Sequence, residues 1–236
     1  LWGTRYEMGY AQGALYCDKM PELFKAYVLE YLVADYGVPY EMVLALVENA
    51  VELDEGDLSE MQGIVDGARA LCSEEEFWVE SDYLEESAGG ARELNFEDLV
   101  AANILGDFGC SSFSIWGEAS ATGDTIHARN FDWAIDPGGV FLDQHMLVVY
   151  DSDEQGGARY ASLTVPGLIG CMSCISADGV GITMHNVGGL SATQSTGIHP
   201  RMLATRSALA ATWQSGDPAT DAEAVLEAAL QRVGNN

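Results

Sequence analysis

Basic residues are scarce in this chain. Its 236 residues contain 10 Lys+Arg against 37 Asp+Glu, and lysine occurs only at Lys19 and Lys25. The formal net charge of −27 repels phosphate groups, so we expect neither nucleic acid nor a membrane as a partner. Because the acidic residues are spread along the chain, we expect a solvated acidic protein suited to high salt, as in a halophile, rather than one that attracts a cationic partner.

Long apolar runs are also missing, and none approaches the roughly 20 residues that a transmembrane helix needs. Cysteine is sparse, and the spacing of the five residues does not indicate a disulfide framework: Cys17, Cys72, Cys110, Cys171 and Cys174. We therefore expect free thiols and a cytoplasmic protein. Cys171 and Cys174 have the CxxC spacing, but positions three apart on a strand face opposite sides. Packing in the core is thus expected, with no metal and no cofactor.

The first 109 residues are mainly helical by their apolar spacing of three and four. Predicted helices cover residues 15–32, 39–48, 57–71 and 95–105, and the acidic stretch 73–90 between the last two predicts a surface excursion. Gly63 and Gly67 lie four apart on the third helix, which would let a neighbouring backbone approach closely. Near the start of the chain, Gly9 and Gly13 are expected on a helix that packs against a sheet.

After residue 109 the apolar pattern changes to period two. Predicted strands cover residues 113–115, 125–129, 146–150, 160–165, 168–176 and 180–185. The last two should pair as a hairpin, because Ala177-Asp178-Gly179 between them is a turn signal. Helices resume at Pro200 and after Pro218. This order predicts an α+β fold in one domain, with a helical segment 1–109 and a β-rich segment 110–236.

The sequence Gly109-Cys110 has the character of a self-processing site. A free thiol has a pKa of about 8.5 and needs an adjacent base to act as a nucleophile near neutral pH. Cleavage of the bond before Cys110 would free an α-amine with a pKa of roughly 7.7–8.0, well placed to be that base. Gly109 lacks the Cβ that would crowd an attack by Cys110 on the preceding carbonyl.

Four segments in order resemble the penicillin acyltransferase family, a branch of the N-terminal-nucleophile hydrolases: residues 3–13, the Gly109-Cys110 junction with 125–133, Gly167-Leu168-Ile169-Gly170, and 178–186. The resemblance implies the four-layer αββα sandwich of that superfamily, incomplete here at the carboxy terminus. It also implies a self-processing amidohydrolase or acyltransferase that acts on a small N-acyl amide through a thioester.

The resemblance implies four catalytic residues. Cys110 would be the nucleophile, and Asp132 would orient its freed amine. Arg129 would stabilise the thiolate or the acyl oxygen; the fungal enzyme carries glutamine there, whereas choloylglycine hydrolases and penicillin V acylases carry arginine. Asn186 would donate to the tetrahedral oxyanion.

Supporting roles are expected for nearby polar side chains: Ser111, Ser112, Asn130, His127 and His185. Two alternatives stay open. Cys110 would act as a papain-like nucleophile served by a histidine (His127, His185 or His199), or the fold would serve only for binding. As a plain structural residue, Cys110 would be a small apolar side chain at the start of a strand.

Overall fold

The computed structural model describes residues 1–34, 37–84, 90–104, 109–132, 136–154, 159–185, 196–211, 223–224, 226–228 and 230–231. The helices are α1 Arg5–Tyr16, α2 Lys19–Leu23 with a π-helical continuation Phe24–Val33, α3 Tyr40–Ala50, α4 Glu55–Leu71, α5 Phe96–Ile104, α6 Val140–Asp143 and α7 Arg201–Ala211. The strands are β1 Trp2–Gly3, β2 Trp78–Glu80, β3 Ala91–Glu93, β4 Gly109–Ile115, β5 Ile126–Asp132, β6 Met146–Ser152, β7 Arg159–Thr164, β8 Ser173–Ser176 and β9 Gly181–Thr183.

The strands form one five-stranded sheet, in the order β1-β6-β7-β8-β9, and two antiparallel pairs, β2-β3 and β4-β5. The predicted hairpin is confirmed, since β8 and β9 pair antiparallel. β1 pairs in parallel with β6, so the helical segment contributes a strand to the sheet. The α+β class is therefore confirmed. No described helix is both long and apolar enough to cross a membrane.

The two faces of the five-stranded sheet differ in cover. On the inner face, Tyr150 and Tyr160 are buried against Met8 of α1 and Leu209 of α7. The outer face carries exposed aliphatic side chains in adjacent positions of β6, β7 and β8: Leu147 68%, Val149 50%, Leu163 42% and Ile175 55% exposed. One face is thus closed by helices, whereas the described residues leave much of the other open.

Helices α1 and α4 pack backbone against backbone through two glycine pairs. A Cβ on Gly63 or Gly67 of α4 would lie 2.2 or 2.0 Å from a carbonyl oxygen of α1, as the spacing of these glycines predicts. A Cβ on Gly9 or Gly13 of α1 would lie 2.0 Å from a carbonyl oxygen of α4. The expectation that Gly9 and Gly13 pack against a sheet is therefore wrong, because α4 occupies that side of α1.

The cysteines overturn the expectation of free thiols. Cys17 and Cys72 follow the carboxy-terminal ends of α1 and α4 and form a disulfide with a Cα–Cα distance of 6.1 Å. The close parallel packing of the two helices brings these ends together. Cys171 and Cys174 form a second disulfide. Cys171 precedes β8, so the alternation of strand side chains does not separate the two sulfurs. Cys110 is the free cysteine.

Two helical expectations also need correction. The helix predicted over 15–32 is divided at 17–18, where the chain turns between α1 and α2. The stretch 73–90 is not a simple surface excursion, because β2 lies within it and the side chains of Phe77 and Val79 are 1% and 2% exposed. The helices predicted from 39, 57, 95 and 200 are confirmed as α3, α4, α5 and α7. The helix predicted after Pro218 lies largely outside the described residues.

Buried charges attach α7 to the helical layer. Arg206 and Glu60 of α4 form an ion pair at 2.7 Å, and both side chains are 1% exposed. The Arg206 guanidinium also lies over the ring of Tyr150, 4.7 Å from its centroid. Glu60 also pairs with Arg5 of α1, so this buried group of charges joins α1, α4 and α7.

Candidate active site

The site is built on the β4–β5 ribbon, seven paired residues on each strand. Cys110 lies opposite Phe131, and Ser112 lies opposite Arg129. Directly opposed residues share a face, and so do alternate residues of one strand. Cys110, Ser112 and Arg129 therefore project from the same face of the ribbon.

That face lies against the outer face of the sheet at β8 and β9. Arg129 of the ribbon donates to the hydroxyl of Ser173 in β8 and, at 2.9 Å, to the carbonyl oxygen of Met184 just after β9. Ser173 and Thr183 are cross-strand partners, and Ser173 shares its face with the exposed Ile175. The ribbon thus begins a second β layer over part of the open face.

Cys110 is half-buried, and its side chain packs against the edge of the main hydrophobic core. Its sulfur accepts a hydrogen bond from Arg129 Nη2 at 2.8 Å. Within the described residues, no histidine is hydrogen-bonded to this sulfur. The sulfur therefore faces a permanent positive charge rather than an imidazole base.

Arg129 holds several groups at once. Its guanidinium reaches Cys110, Ser173 and the Met184 carbonyl. Its plane lies over the Phe131 ring, with the central carbon 4.8 Å from the centroid. Its Nε atom is buried and has no hydrogen-bond partner in the described part of the chain. Stacking on Phe131 and three hydrogen-bond acceptors hold the planar guanidinium in place, so its positive charge is fixed beside the Cys110 sulfur.

A second set of polar contacts lies beside the cysteine. His185 Nδ1 is 3.0 Å from the carbonyl oxygen of Cys110, and His185 Nε2 is 3.0 Å from Ser112 Oγ and 3.1 Å from Thr183 Oγ1. His127 Nε2 is 3.3 Å from the same Thr183 hydroxyl, and His127 Nδ1 is 2.7 Å from Ser114 Oγ. The structure therefore brings Cys110, Arg129, Ser112, His127 and His185 together.

Other predicted residues are placed differently or lie outside the described part. Ser111 and Asn130 oppose each other on the other face of the ribbon, and both are exposed. The backbone of Asp132 lies opposite Gly109, as expected of the strand that pairs with β4, but the Asp132 side chain is outside the described residues. Asn186 is also outside them.

The third histidine of the papain-like alternative is His199, whose Nε2 is 3.8 Å from a carboxylate oxygen of Glu52. Among the described residues, no cluster of three or more His, Cys, Asp or Glu side chains is placed to hold a metal ion.

Sequence reasoning missed Ser173 and Thr183, which join the ribbon to the sheet. The signal was present in the predicted hairpin, because Thr183 and His185 lie two apart and so share one side of the chain. Ser112 and Ser114 have the same spacing on the facing strand. The sequence did not show that the polar side chains of the hairpin and of the ribbon contact each other.

No family model matches the chain. The chain is 26% identical over 200 residues to a protein of Archaeoglobus fulgidus described as uncharacterized, a match that covers 79% of this chain and 32% of that protein. It is also 26% identical over 179 residues to "Protein dcd1B" of Dictyostelium discoideum, covering 73% of this chain and 34% of that protein. The chain thus spans about a third of the length of these relatives. Fold and site together define an α+β protein in which a cysteine outside any disulfide accepts a hydrogen bond from an arginine.

Proposed function

We propose that this chain is the nucleophile-bearing part of an N-terminal-nucleophile hydrolase similar to the penicillin acyltransferases. It would cleave itself between Gly109 and Cys110 and then hydrolyse or transfer the acyl group of a small N-acyl amide. The observation that carries the proposal is the free Cys110 sulfur, directly after a glycine, with Arg129 Nη2 at 2.8 Å.

The first step would be maturation. The Cys110 sulfur attacks the Gly109 carbonyl carbon, a C–S bond forms, and the C–N bond to Cys110 breaks as the nitrogen takes up a proton. Water then hydrolyses the thioester, which leaves a carboxylate on Gly109 and a free amine on Cys110. Gly109 favours this attack because it places no Cβ beside the reacting carbonyl.

The second step would be turnover of the substrate. The free α-amine takes the thiol proton, and the sulfur attacks the substrate's amide carbonyl to give a thioester and a departing amine. Water or an acceptor amine then removes the acyl group. Arg129 supports both steps, because a guanidinium beside the sulfur stabilises negative charge there.

Two further roles are proposed from the resemblance. Asp132 would orient the freed amine, in keeping with its backbone position opposite Gly109. Asn186, the residue after His185, would donate to the oxyanion of the tetrahedral intermediate. A well-placed donor of this kind lowers the barrier by roughly 3–4 kcal/mol.

For the fold, we propose the αββα sandwich, of which this chain would supply one helical layer, one sheet and the start of the second sheet. Two observations support it. The β4–β5 ribbon lies over the outer face of the five-stranded sheet at β8 and β9. Beside it, Leu147, Val149 and Leu163 expose an apolar surface that a second sheet would cover, since packed sheets bury their facing apolar side chains.

Mass spectrometry of the purified full-length protein tests the proposal. The wild-type protein should give two fragments, the second of which begins at Cys110, and Cys110→Ala should remain one chain. Iodoacetamide at neutral pH should label Cys110 rapidly and abolish amidase activity. A single intact chain with full amidase activity would refute self-processing. Slow labelling of Cys110 would instead indicate that the fold serves only for binding.

A further inference from the structure

His185 contacts the backbone of the cysteine rather than its sulfur. Its Nδ1 lies 3.0 Å from the Cys110 carbonyl oxygen. We propose that His185 is a positioning residue, whose Nδ1–H holds the Cys110 peptide and so orients the sulfur, which Arg129 contacts, for attack on the Gly109 carbonyl. This inference rests on the proposed function, because the step it serves is attack by that sulfur.

The acceptors around the ring determine its protonation pattern. A carbonyl oxygen can only accept, so His185 Nδ1 carries a hydrogen. In the neutral ring Nε2 is then an acceptor, and it faces two groups that can donate, Ser112 Oγ at 3.0 Å and Thr183 Oγ1 at 3.1 Å. The ring is therefore held in one orientation from both sides.

The contacts of Thr183, which lies beside the His185 ring, add to this restraint. Thr183 Oγ1, when it donates to His185, can accept from His127 Nε2 at 3.3 Å, and His127 Nδ1 can then accept from Ser114 Oγ at 2.7 Å. Each donor in this series of hydrogen bonds thus faces an acceptor. The series begins at the Ser114 hydroxyl, passes through His127, Thr183 and His185, and ends at the Cys110 carbonyl oxygen.

Arg129 and His185 hold Cys110 from two directions. Arg129 Nη2 donates to the sulfur and also to the carbonyl oxygen of Met184, the residue before His185. His185 returns to Cys110 through its carbonyl oxygen. These bonds close a ring through Cys110, Arg129 and residues 184–185, so both the side chain and the following peptide of the cysteine are restrained. Such restraint favours reaction because the attacking atom is already oriented.

Two amide variants separate the two ring nitrogens. In His185→Asn the side-chain amide can occupy the place of Nδ1 and donate to the Cys110 carbonyl, whereas in His185→Gln the amide reaches the place of Nε2, toward Ser112 and Thr183. We expect His185→Asn to process within about threefold of the wild-type rate and His185→Gln to process about fivefold to tenfold more slowly, the effect of one lost hydrogen bond.

His145→Gln is the control, because His145 Nδ1 also contacts a backbone carbonyl, that of Leu142 at 3.2 Å, and its ring lies edge-on to Phe131 at 5.7 Å with no hydrogen bond, in the described part of the structure, to the ring of bonds through Cys110. Its processing rate should stay within about twofold of wild type. Rates are measured by mass spectrometry of the full-length protein after expression at low temperature, and circular dichroism checks that each variant folds.

The outcomes separate this inference from the proposed function. If the wild-type protein never processes at Cys110, the proposed function fails, and the iodoacetamide rate at Cys110 then tests His185 alone, with the same expected order of variants. If the wild type processes or reacts but folded His185→Asn is as slow as His185→Gln, the inference is overturned. The same holds if His185→Gln has no effect, because His185 then does not act through its Nδ1.

Discussion

The packing of α1 on α4 allows a worked prediction for Gly67→Ala. A Cβ at Gly67 would lie 2.0 Å from the Tyr10 carbonyl oxygen, against an ordinary contact of about 3.4 Å or more. The contacted atom belongs to the backbone of a packed helix, so it cannot rotate away as a flexible side chain does. The two helices would have to separate by more than an ångström, or bend.

The expected cost follows from two opposed effects. Overpacking of a tight interface costs about 1–3 kcal/mol, and occasionally more. Alanine is about 1 kcal/mol better than glycine within a helix. Because both sides of this contact are backbone, we expect the upper end of the packing cost and a net loss of about 2 kcal/mol. For a domain of this size that loss lowers the Tm by about 4–8 °C.

Gly56→Ala provides the control in the same helix. A Cβ at Gly56 would have its nearest neighbour, the Arg5 Cζ atom, at 3.6 Å, which is an ordinary contact. This variant should keep or raise the Tm. Thermal unfolding followed by circular dichroism compares the two, and equal Tm values for Gly67→Ala and Gly56→Ala would refute the argument that glycine is needed for the helix contact.

Two further predictions concern the site and the first helix. Arg129→Lys replaces the planar guanidinium, which donates to Cys110, Ser173 and Met184, with a single point charge. Alkylation of Cys110 by iodoacetamide at neutral pH should therefore slow by about tenfold or more, and an unchanged rate would show that Arg129 does not activate the sulfur. At the start of α1, hydrogen bonds from the Thr4 backbone and hydroxyl hold the pKa of Glu7 below its usual value of 4.5. That stabilisation is present above the pKa of the unfolded state and is lost as pH falls through the lower folded pKa. The difference in Tm between wild type and Glu7→Ala should therefore be constant near neutral pH and shrink below about pH 4, and a difference that grows on acidification would contradict the cap.

Local signals predicted much of the fold. Apolar spacing located α3 and α4, Pro200 marked the start of α7, and the Asp178-Gly179 turn located the β8–β9 hairpin, because these elements depend on residues close in sequence. The four-residue spacing of Gly63 and Gly67 predicted a close backbone contact. It did not say which backbone, since spacing on one helix carries no information about its neighbour.

The same limit explains the errors on cysteine. The spacing of Cys17 and Cys72 says nothing about pairing, because their proximity comes from α1 and α4 lying parallel and ending together. The argument that separated Cys171 from Cys174 assumed a strand through both, whereas β8 begins only at Ser173. Strand ends are the weakest part of such predictions, since a terminal residue carries little periodic signal.

The sequence alone determined the acidic charge, most of the helices, the hairpin and the Gly109-Cys110 pair as the place to look for chemistry. Only the tertiary structure decided that Arg129 donates to the Met184 carbonyl and that His185 holds the Cys110 carbonyl. The physical reason is that these contacts join the ribbon to the far edge of the sheet. Residues more than fifty positions apart meet there because two layers pack, and no local pattern in either segment records that packing.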